Sequence, residues 1–372
     1  MQRQINFEIE TQTWRRLSSI PQPLRIAAHT GAYDVNLLGV LLSIAVFTRP
    51  PARRGFDLSD FWAWMRYLPA FSTEPLLRLN SEWSTLDFHH KTVASGDFGV
   101  GFSTWILWKT LGFWDYIDVL HVVNVLAPNR FALGGNAKRG PRKSPDYVAL
   151  GPKLELNILE CKGTQSSKGY LRRAVNSGLH QKRNLHAIGG PGFSTSLVSG
   201  MFVPQWESDS RATFLVSDPE INDAKSLLFE YSLDQIRHAS SRASMARDLA
   251  HFNLPVSVAT LMGSKTATGT IGEAIGSDLY QQQLEEGRLM VERVHTYPEP
   301  IALDSATATG IVFKAELPEE TIDWLRRMGP PEELGERLWE FRADAKLSVR
   351  EEDRSVIYLS PNGVRFEVTL LG

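Results

Sequence analysis

Two kinds of hydrophobic pattern run along the chain, and each predicts a different element. Val35–Phe47 and Phe98–Leu111 carry apolar or bulky residues at helical spacing, which predicts two helices. Short apolar runs next to turn-forming residues predict strands. The strands predicted in this way are Val119–Leu126, Tyr147–Leu150, Leu154–Cys161, Ser194–Val203 and Ala212–Val216. A helix rich in Arg and Lys, Gly169–Ile188, is predicted between the third and fourth of them.

The order of these elements predicts three regions. Residues 1–80 are expected to be largely helical and are punctuated by prolines, which end helices. Residues 81–260 follow the order helix, strands, helix, strands. That order predicts an α/β fold in which a central sheet is covered by helices. Residues 261–372 form the third region, for which both helices and strands are expected.

The third region contains the clearest turn signal in the sequence. Gly263–Gly276 is rich in small residues and is interpreted as a linker or loop, and Pro318–Met328 and Pro331–Ala345 are predicted helices. Within Ser355–Leu370, alternating apolar residues flank Asn362-Gly363, a dipeptide that tolerates the positive φ of a tight turn. The sequence therefore predicts an α+β C-terminal region that ends in a β-hairpin.

The composition narrows the class of protein. With 42% hydrophobic and 22% charged residues, the 372-residue chain is typical of a globular protein. Its single cysteine, Cys161, excludes an internal disulfide framework and is expected to be a small buried hydrophobe. His89-His90 and His121 lack the spacing of a zinc site and are interpreted as structural. No signal peptide is evident, and Val35–Phe47 is too short to cross a bilayer of ~30 Å, so we expect a cytoplasmic protein with no membrane segment.

Charge is distributed unevenly along the chain. The net charge is −2, but residues 130–183 contain twelve Lys and Arg residues and only three acidic ones. This local charge of +9 leaves −11 on the rest of the chain. Such asymmetry can hold a polyanion at one place while the molecule stays soluble.

Two acidic residues and a lysine form a candidate metal-binding site. Asp146 begins one predicted strand, and Glu160 and Lys162 lie at the end of the next. Side chains alternate along a strand, so Glu160 and Lys162 share a face that Cys161 does not. If the two strands pair, the Asp146 carboxylate approaches that of Glu160. Two converging carboxylates suit a hard cation such as Mg²⁺, and an adjacent ammonium group can position or deprotonate the attacking water or stabilise charge in the transition state.

At this point the sequence resembles the PD-(D/E)XK nuclease superfamily. The matching residues are Pro145-Asp146 and, after thirteen intervening positions, Glu160-Cys161-Lys162. The resemblance covers roughly residues 85–220 and implies a restriction-endonuclease-like core, a mixed sheet flanked by helices. It also implies that Asp146 and Glu160 ligate Mg²⁺ or Mn²⁺ and that Lys162 is the catalytic lysine.

The resemblance implies further site residues on the neighbouring helices. Members often carry an acidic residue on the helix before the first core strand, where Asp97 is the candidate metal ligand and Glu82 the fallback. A Gln or Lys on the helix after the lysine strand is also frequent, and Gln181 with Lys182 occupies a suitable position there.

The function expected from these residues is that of a metal-dependent endonuclease that hydrolyses nucleic acid, with DNA as the first candidate. Bacterial antiviral defence is the setting that the resemblance suggests. The flanking regions would then supply target recognition, dimerisation or docking to a partner protein. The cations expected to contact phosphate are Lys138, Arg139, Arg142, Lys143, Lys168, Arg172, Arg173, Lys182 and Arg183.

The same residues have simpler interpretations. Asp146 follows a proline and could form a turn or cap a helix. Glu160 and Lys162 could form a cross-strand ion pair at a sheet edge. The cations of Gly169–Ile188 could be a solvated helix face. If the two carboxylates are too far apart to share a metal, the chain would be a catalytically inactive nucleic-acid-binding or scaffold subunit, and the motif could also be accidental in an unrelated α/β enzyme.

Overall fold

The elements of the described residues form a seven-stranded sheet, a five-stranded sheet and a small two-stranded sheet, with helices packed against them. The computed structural model describes residues 1–48, 62–126, 144–153, 155–182, 185–187, 193–218, 230–263, 269–280, 282, 284–303, 307–334, 349–352 and 354–372. Its strands are β1 (Gln2–Ile9), β2 (Tyr33–Asn36), β3 (Asp115–Asp118), β4 (Tyr147–Leu150), β5 (Leu156–Thr164), β6 (His186–Ala187), β7 (Ser196–Phe202), β8 (Thr213–Ser217), β9 (Glu230–Tyr231), β10 (Leu289–Ala302), β11 (Thr307–Leu317), β12 (Val349–Glu351), β13 (Ser355–Leu359) and β14 (Arg365–Leu371). Its α-helices are α1 (Gln22–His29), α2 (Leu37–Phe47), α3 (Trp62–Tyr67), α4 (Phe88–Leu111), α5 (Val119–Leu126), α6 (Lys168–Lys182), α7 (Leu233–Ala250), α8 (Pro255–Leu261), α9 (Ile271–Leu279) and α10 (Glu319–Arg326).

The first sheet is seven-stranded and mixed, with the order β2-β1-β8-β7-β5-β4-β3. Strands β3, β4 and β5 form an antiparallel meander at one edge. Strand β7 pairs parallel with β5, and α6 makes the crossover between them. The predicted central mixed sheet flanked by helices is therefore present, and the predicted strands 147–150, 154–161, 194–203 and 212–216 correspond to β4, β5, β7 and β8.

The N-terminal region differs from its largely helical prediction because it also contains β1 and β2. Strand β1 pairs parallel with β8 and antiparallel with β2, so it belongs to the seven-stranded sheet. Its alternating burial places Ile5 and Phe7 in the core. This period of two is visible in the sequence itself. The division of the chain into three regions stays a prediction.

Helices α2 and α4 follow the patterns that predicted them. The Asn36 side chain caps α2 by accepting a hydrogen bond from the Leu38 N–H at 2.9 Å, and nearly every residue of α2 is buried, as predicted. Helix α4 begins ten residues before the predicted start, at the Asp87 cap, and ends at Gly112, whose φ is 68°. Among the described residues, no helix is both long enough and apolar enough to cross a bilayer.

The prediction of a strand at Val119–Leu126 was wrong, because this segment is helix α5. The Asp118 carboxylate accepts hydrogen bonds from the N–H groups of Leu120 (2.7 Å) and His121 (3.3 Å), as a helix cap does. A short apolar run alone does not distinguish a strand from a buried helix. Asp118, just before the run, is the residue in the sequence that indicates a helix rather than a strand.

The second sheet is five-stranded, with the order β10-β11-β14-β13-β12, and all of its pairings are antiparallel. The predicted C-terminal hairpin is confirmed as β13 and β14, and Gly363 in its turn has a φ of 78°. The predicted helix 318–328 corresponds to α10. The predicted linker was wrong in its second half, where a capping box between Thr270 and Glu273 starts α9. Residues 331–333 form a 3₁₀ turn, and 335–345 lie outside the described residues.

A buried polar network joins the two larger sheets through α7, and we call it the Arg247 network. The Arg247 guanidinium donates to Asp115 Oδ1 on β3 at 2.7 Å and to Asp248 Oδ1 at 3.2 Å. Ser244 Oγ donates to Asp115 Oδ2. From the hairpin turn, Asn362 Nδ2 donates to Asp248 Oδ2 at 2.6 Å and to Ser244 Oγ at 2.9 Å. These five residues, Asp115, Ser244, Arg247, Asp248 and Asn362, are buried and fix the hairpin to the seven-stranded sheet.

Candidate metal centre

The predicted motif lies on adjacent strands in the interior of the seven-stranded sheet. Asp146 immediately precedes β4, while Glu160 and Lys162 lie on β5. Because Tyr147 is paired with Leu159, the next step along this ladder sets Asp146 opposite Glu160. Asp146 Oδ2 also accepts a hydrogen bond from the Cys161 N–H at 2.7 Å.

Glu160 is completely buried, and its two oxygens have different surroundings. The Lys162 ammonium donates to Oε1. Oε2 has no donor in good hydrogen-bond geometry among the described residues, although the backbone and carboxyl of Asp146 lie close enough to the Glu160 carboxyl to influence its pKa. A buried carboxylate oxygen without a donor is costly, because burial removes the water that would otherwise solvate it.

The electrostatics of the two carboxyls follow from this burial. Burial, and then the negative charge of Asp146, raise the pKa of Glu160 to about 8, although the Lys162 charge opposes the shift. Burial also raises the pKa of Asp146 to about 6, against the hydrogen bond from Cys161 and the charge of Lys162. Ionising both carboxyls in this buried site is therefore unfavourable, and a divalent cation would offset that cost.

Helix α6 covers the site at a glycine. A Cβ at Gly178 would lie 3.1 Å from Glu160 Cγ and 3.2 Å from Lys162 Cε. The missing side chain lets the helix approach both functional residues closely. The sequence analysis did not single out Gly178, although an isolated glycine within a helical pattern is a known sign of close packing.

Asp97, the third predicted metal ligand, does not join the pair. It lies on α4, which contacts β5 through Gly163, a position on the face opposite to Glu160 and Lys162. The Asp97 carboxylate accepts a hydrogen bond from Tyr67 Oη, and burial raises its pKa. The fallback, Glu82, lies in the 3₁₀ turn Glu82–Thr85 on the surface. Within the described ranges no set of three or more His, Cys, Asp or Glu side chains is arranged to hold a metal ion.

The start of α5 brings a further aspartate, Asp118, near Asp146, which was not predicted. The charge of Asp118 raises the pKa of Asp146, and Asp118 itself caps α5. His121 follows in the first turn of α5, where burial lowers its pKa and its Nδ1 has no hydrogen-bond partner among the described residues. Recognising α5 as a helix would have identified Asp118 as its cap and placed His121 beside it.

Of the predicted phosphate contacts, Lys168, Arg172 and Arg173 lie at the beginning of α6, away from Gly178. Lys168 Nζ is 3.4 Å from Glu8 Oε1, and an Arg172 guanidinium nitrogen is 3.2 Å from Glu8 Oε2. The Arg173 guanidinium lies over the ring of Tyr170. Gln181 and Lys182 belong to the last turn of α6. The predicted contacts Lys138, Arg139, Arg142, Lys143 and Arg183 lie outside the described residues.

The geometry bears on two of the simpler interpretations of the motif. Asp146 does not cap a helix, since its carboxylate accepts from the backbone of β5. Glu160 and Lys162 do form an ion pair, but within one strand, and that strand lies between β4 and β7 rather than at an edge. Cys161 is buried, as predicted.

This arrangement of a carboxylate pair, a lysine and a covering glycine has to be judged on its own geometry. Comparisons of the chain with protein-family models, with curated proteins and with solved structures found no match.

Proposed function

We propose that the chain is a metal-dependent phosphodiesterase in which Asp146 and Glu160 hold a Mg²⁺ or Mn²⁺ ion. The observation that carries the proposal is Glu160 Oε2, a fully buried carboxylate oxygen without a donor among the described residues, on the strand next to Asp146. A divalent cation would satisfy this oxygen and remove the repulsion between the two carboxylates.

The residues present fit such an ion. Mg²⁺ is commonly bound by one or two carboxylates and keeps several waters, so a pair without a third acidic ligand is sufficient. Both carboxyls have raised pKa values, which is typical of groups whose charge is balanced only when a cation binds. Asp97 is not needed in this scheme, and its bond to Tyr67 gives it a separate role.

Each residue of the motif has a task in phosphodiester hydrolysis. When bound, the ion acts as a Lewis acid that polarises a phosphate oxygen and activates a water. Asp146 is held in place by the Cys161 N–H, and Glu160 by burial and by Lys162. Once Glu160 contacts the cation, the Lys162 ammonium, whose side chain is 20% exposed, is available to orient the attacking water or to stabilise charge on the phosphate.

The resemblance to PD-(D/E)XK nucleases supports nucleic acid as the substrate, with DNA as the first candidate. The mixed sheet, the positions of Asp146, Glu160 and Lys162 on adjacent strands, and the helix after the lysine strand agree with what the resemblance implies. The same proposal includes a restriction-endonuclease-like core, a cytoplasmic location and a role in antiviral defence. It also includes control of the activity by a partner protein or by self-association.

A second candidate is a scaffold or nucleic-acid-binding subunit without turnover. The observation that favours it is that three cations are engaged by acidic side chains: Lys162 by Glu160, and Lys168 and Arg172 by Glu8. In this case metal binding at Asp146 and Glu160 would be absent, or would stabilise the fold without supporting cleavage.

The decisive experiment combines metal titration with cleavage. Plasmid and single-stranded DNA are incubated with Mg²⁺, Mn²⁺ or EDTA, and Mn²⁺ binding is measured by calorimetry on the same preparations. We expect Glu160→Gln to lose both Mn²⁺ binding and cleavage, and Lys162→Ala to lose cleavage while it keeps Mn²⁺ binding. Lys314→Ala, on the distant strand β11, is the matched control and should change neither.

The outcomes separate the two candidates. Metal-dependent cleavage that survives Lys162→Ala unchanged would contradict the proposed mechanism. Mn²⁺ binding that depends on Glu160, without cleavage of either DNA, would favour the scaffold.

A further inference from the structure

The exposed side of the first turns of α6 combines cations with an aromatic ring. We call it the Tyr170 face and define it by Lys168, Tyr170, Arg172 and Arg173. Tyr170 is 49% exposed, and the Arg173 guanidinium lies 5.6 Å from the centre of its ring. The Arg172 side chain is 60% exposed.

The opposite side of α6 is fixed on the sheet. Leu171 and Val175 are buried with Val198 and Phe202 of β7 in one hydrophobic cluster. The same helix reaches the candidate metal centre at Gly178, eight residues after Tyr170. At 1.5 Å per residue this corresponds to about 12 Å along the helix axis. The Tyr170 face is therefore held at a defined, short distance from Glu160 and Lys162.

We propose that the Tyr170 face binds the nucleic-acid strand that leads into the centre, and that this strand is single-stranded there. A base would stack on the side of the Tyr170 ring that Arg173 leaves open, or would displace the Arg173 guanidinium toward a phosphate. Lys168 and Arg172 would contact phosphates further along the strand, across the helix from Tyr170. The inference rests on the proposed nuclease function, which it deepens by naming the class of substrate.

Two features favour a single strand over a duplex. An exposed aromatic ring among cations is how proteins bind single strands, because every unpaired base offers a face for stacking, whereas the bases of a duplex are already stacked. The centre is also recessed: Glu160 is completely buried and α6 covers it at Gly178. A flexible single strand can enter such a recess more readily than a rigid duplex can.

Glu8 of β1 competes with the phosphates for this face. It pairs with both Lys168 and Arg172, and its own side chain is 31% exposed. A phosphate must therefore displace the Glu8 carboxylate to reach either cation. This competition weakens binding of isolated phosphates and favours a ligand that also supplies a base for Tyr170.

The proposal is tested by binding of fluorescently labelled oligonucleotides to the full chain in EDTA, where no cleavage occurs. A mixed-sequence single strand is compared with the duplex of the same sequence by fluorescence anisotropy. We expect the single strand to bind more tightly, Tyr170→Ala to weaken its binding about tenfold, and Tyr170→Phe to retain it. Arg173→Ala should weaken binding and lower the dependence on salt by about one ion.

Two further variants complete the test. Glu8→Gln should strengthen binding of the single strand, since Lys168 and Arg172 lose their competitor. Tyr280→Ala removes a tyrosine at the end of α9 that is more exposed than Tyr170, and it should have no effect. Equal binding of duplex and single strand, or a Tyr170→Ala variant that binds like the unchanged chain, would overturn the proposal. If Glu8→Gln binds the single strand with unchanged affinity, Glu8 does not compete with the phosphates for Lys168 and Arg172.

Failure of this inference can be told apart from failure of the nuclease proposal, since binding in EDTA and cleavage in Mg²⁺ are separate readouts. If the chain cleaves DNA with metal and Tyr170→Ala binds single strands as well as the unchanged chain, the nuclease proposal stands and the role of the Tyr170 face is wrong. If the chain binds single strands through Tyr170 but cleaves no DNA in Mg²⁺ or Mn²⁺, the nuclease proposal is wrong.

Discussion

Among the buried charged side chains of the described residues, those of the Arg247 network and those of the candidate centre differ in how completely they are paired. In the Arg247 network, all four carboxylate oxygens of Asp115 and Asp248 accept hydrogen bonds from Arg247, Ser244, Asn362 or backbone N–H groups. In the candidate centre, Asp146 and Glu160 share one lysine, and Glu160 Oε2 has no donor among the described residues.

The difference shows what each group is for. A buried network in which every atom is satisfied can act as a structural joint, and here it connects β3, α7 and the C-terminal hairpin. A buried carboxylate with an unsatisfied oxygen lowers stability, so its presence points to a ligand that completes it.

Replacing Arg247 with leucine should have the largest effect on stability. It removes the only cation of the network and leaves Asp115 and Asp248 buried without compensation, which costs about 3–5 kcal/mol of unfolding free energy. Urea denaturation followed by circular dichroism measures this loss. Adding Asp115→Asn and Asp248→Asn should restore part of it.

The matched control for this variant is Arg326→Ala, which breaks an exposed pair with Asp323 on α10. Pairs of this kind contribute less than about 1 kcal/mol. A loss in Arg247→Leu no larger than that of the control would show that the network is not a structural joint.

Replacing Glu160 with glutamine should stabilise the metal-free chain, and increasingly so as the pH rises. The pKa of Glu160 is raised from 4.5 to about 8 on folding, so its contribution to stability is fully present below about pH 4.5 and is lost as the pH rises through 8. Glutamine cannot ionise and avoids this loss. We expect a difference of a few kcal/mol at alkaline pH, measured by urea denaturation in EDTA.

A divalent cation should reverse the order of stability, so that the unchanged chain becomes more stable than Glu160→Gln. Mg²⁺ or Mn²⁺ binds the ionised carboxylates and should stabilise the unchanged chain at alkaline pH, but not Glu160→Gln. A variant that is less stable than the unchanged chain in EDTA at alkaline pH would mean that Glu160 is satisfied in a structural way. The contrast between the two groups would then be lost.

The two groups also differ in how far the sequence could predict them. The carboxylate pair was predictable because β4 and β5 are consecutive strands, and the residues of its motif lie within seventeen positions of one another. The Arg247 network joins Asp115, Arg247 and Asn362, which are separated by more than a hundred positions at each step. Hydrophobic periodicity carries no information about such long-range contacts.

The errors near the site have a local cause. Helix α5 was predicted as a strand because its apolar run is as short as a strand, although Asp118 marked its start. Asp97 was predicted as a ligand from its position before β3, whereas packing of α4 against Gly163 determines on which face of the sheet that helix lies. A close helix–strand approach of this kind depends on tertiary structure.

Replacing Asn362 with alanine tests the network from the side of the hairpin, with a smaller expected effect. It removes the Asn362 amide donor from Asp248 Oδ2, while Ser360 still hydrogen-bonds to the same carboxyl. The expected cost is about 1–3 kcal/mol, the penalty for one lost hydrogen bond to a buried charged acceptor. Gly363 keeps the positive φ of the turn, so the hairpin itself should persist.

Hydrogen exchange of β13 and β14 would show whether the hairpin separates from α7 in the Asn362→Ala variant. Faster exchange confined to these strands is expected. A variant as stable as the unchanged chain would imply that losing a donor to a buried carboxylate costs little in this core, and Glu160 Oε2 would then need no ligand to complete it.

Replacing Gly178 with alanine should have the smallest effect on stability but a clear effect on metal binding. The added Cβ would lie 2.9 Å from Val198 Cγ1, and within 3.2 Å of Glu160 Cγ and Lys162 Cε, so these side chains must shift by a few tenths of an ångström. We expect a loss of about 1 kcal/mol and weaker Mn²⁺ binding in calorimetry. Gly169→Ala on the same helix, whose Cβ would meet nothing closer than 3.8 Å, should be neutral or slightly stabilising. If Gly178→Ala left both stability and Mn²⁺ affinity unchanged, the position of Glu160 would not depend on α6, and its burial would have to come from the sheet alone.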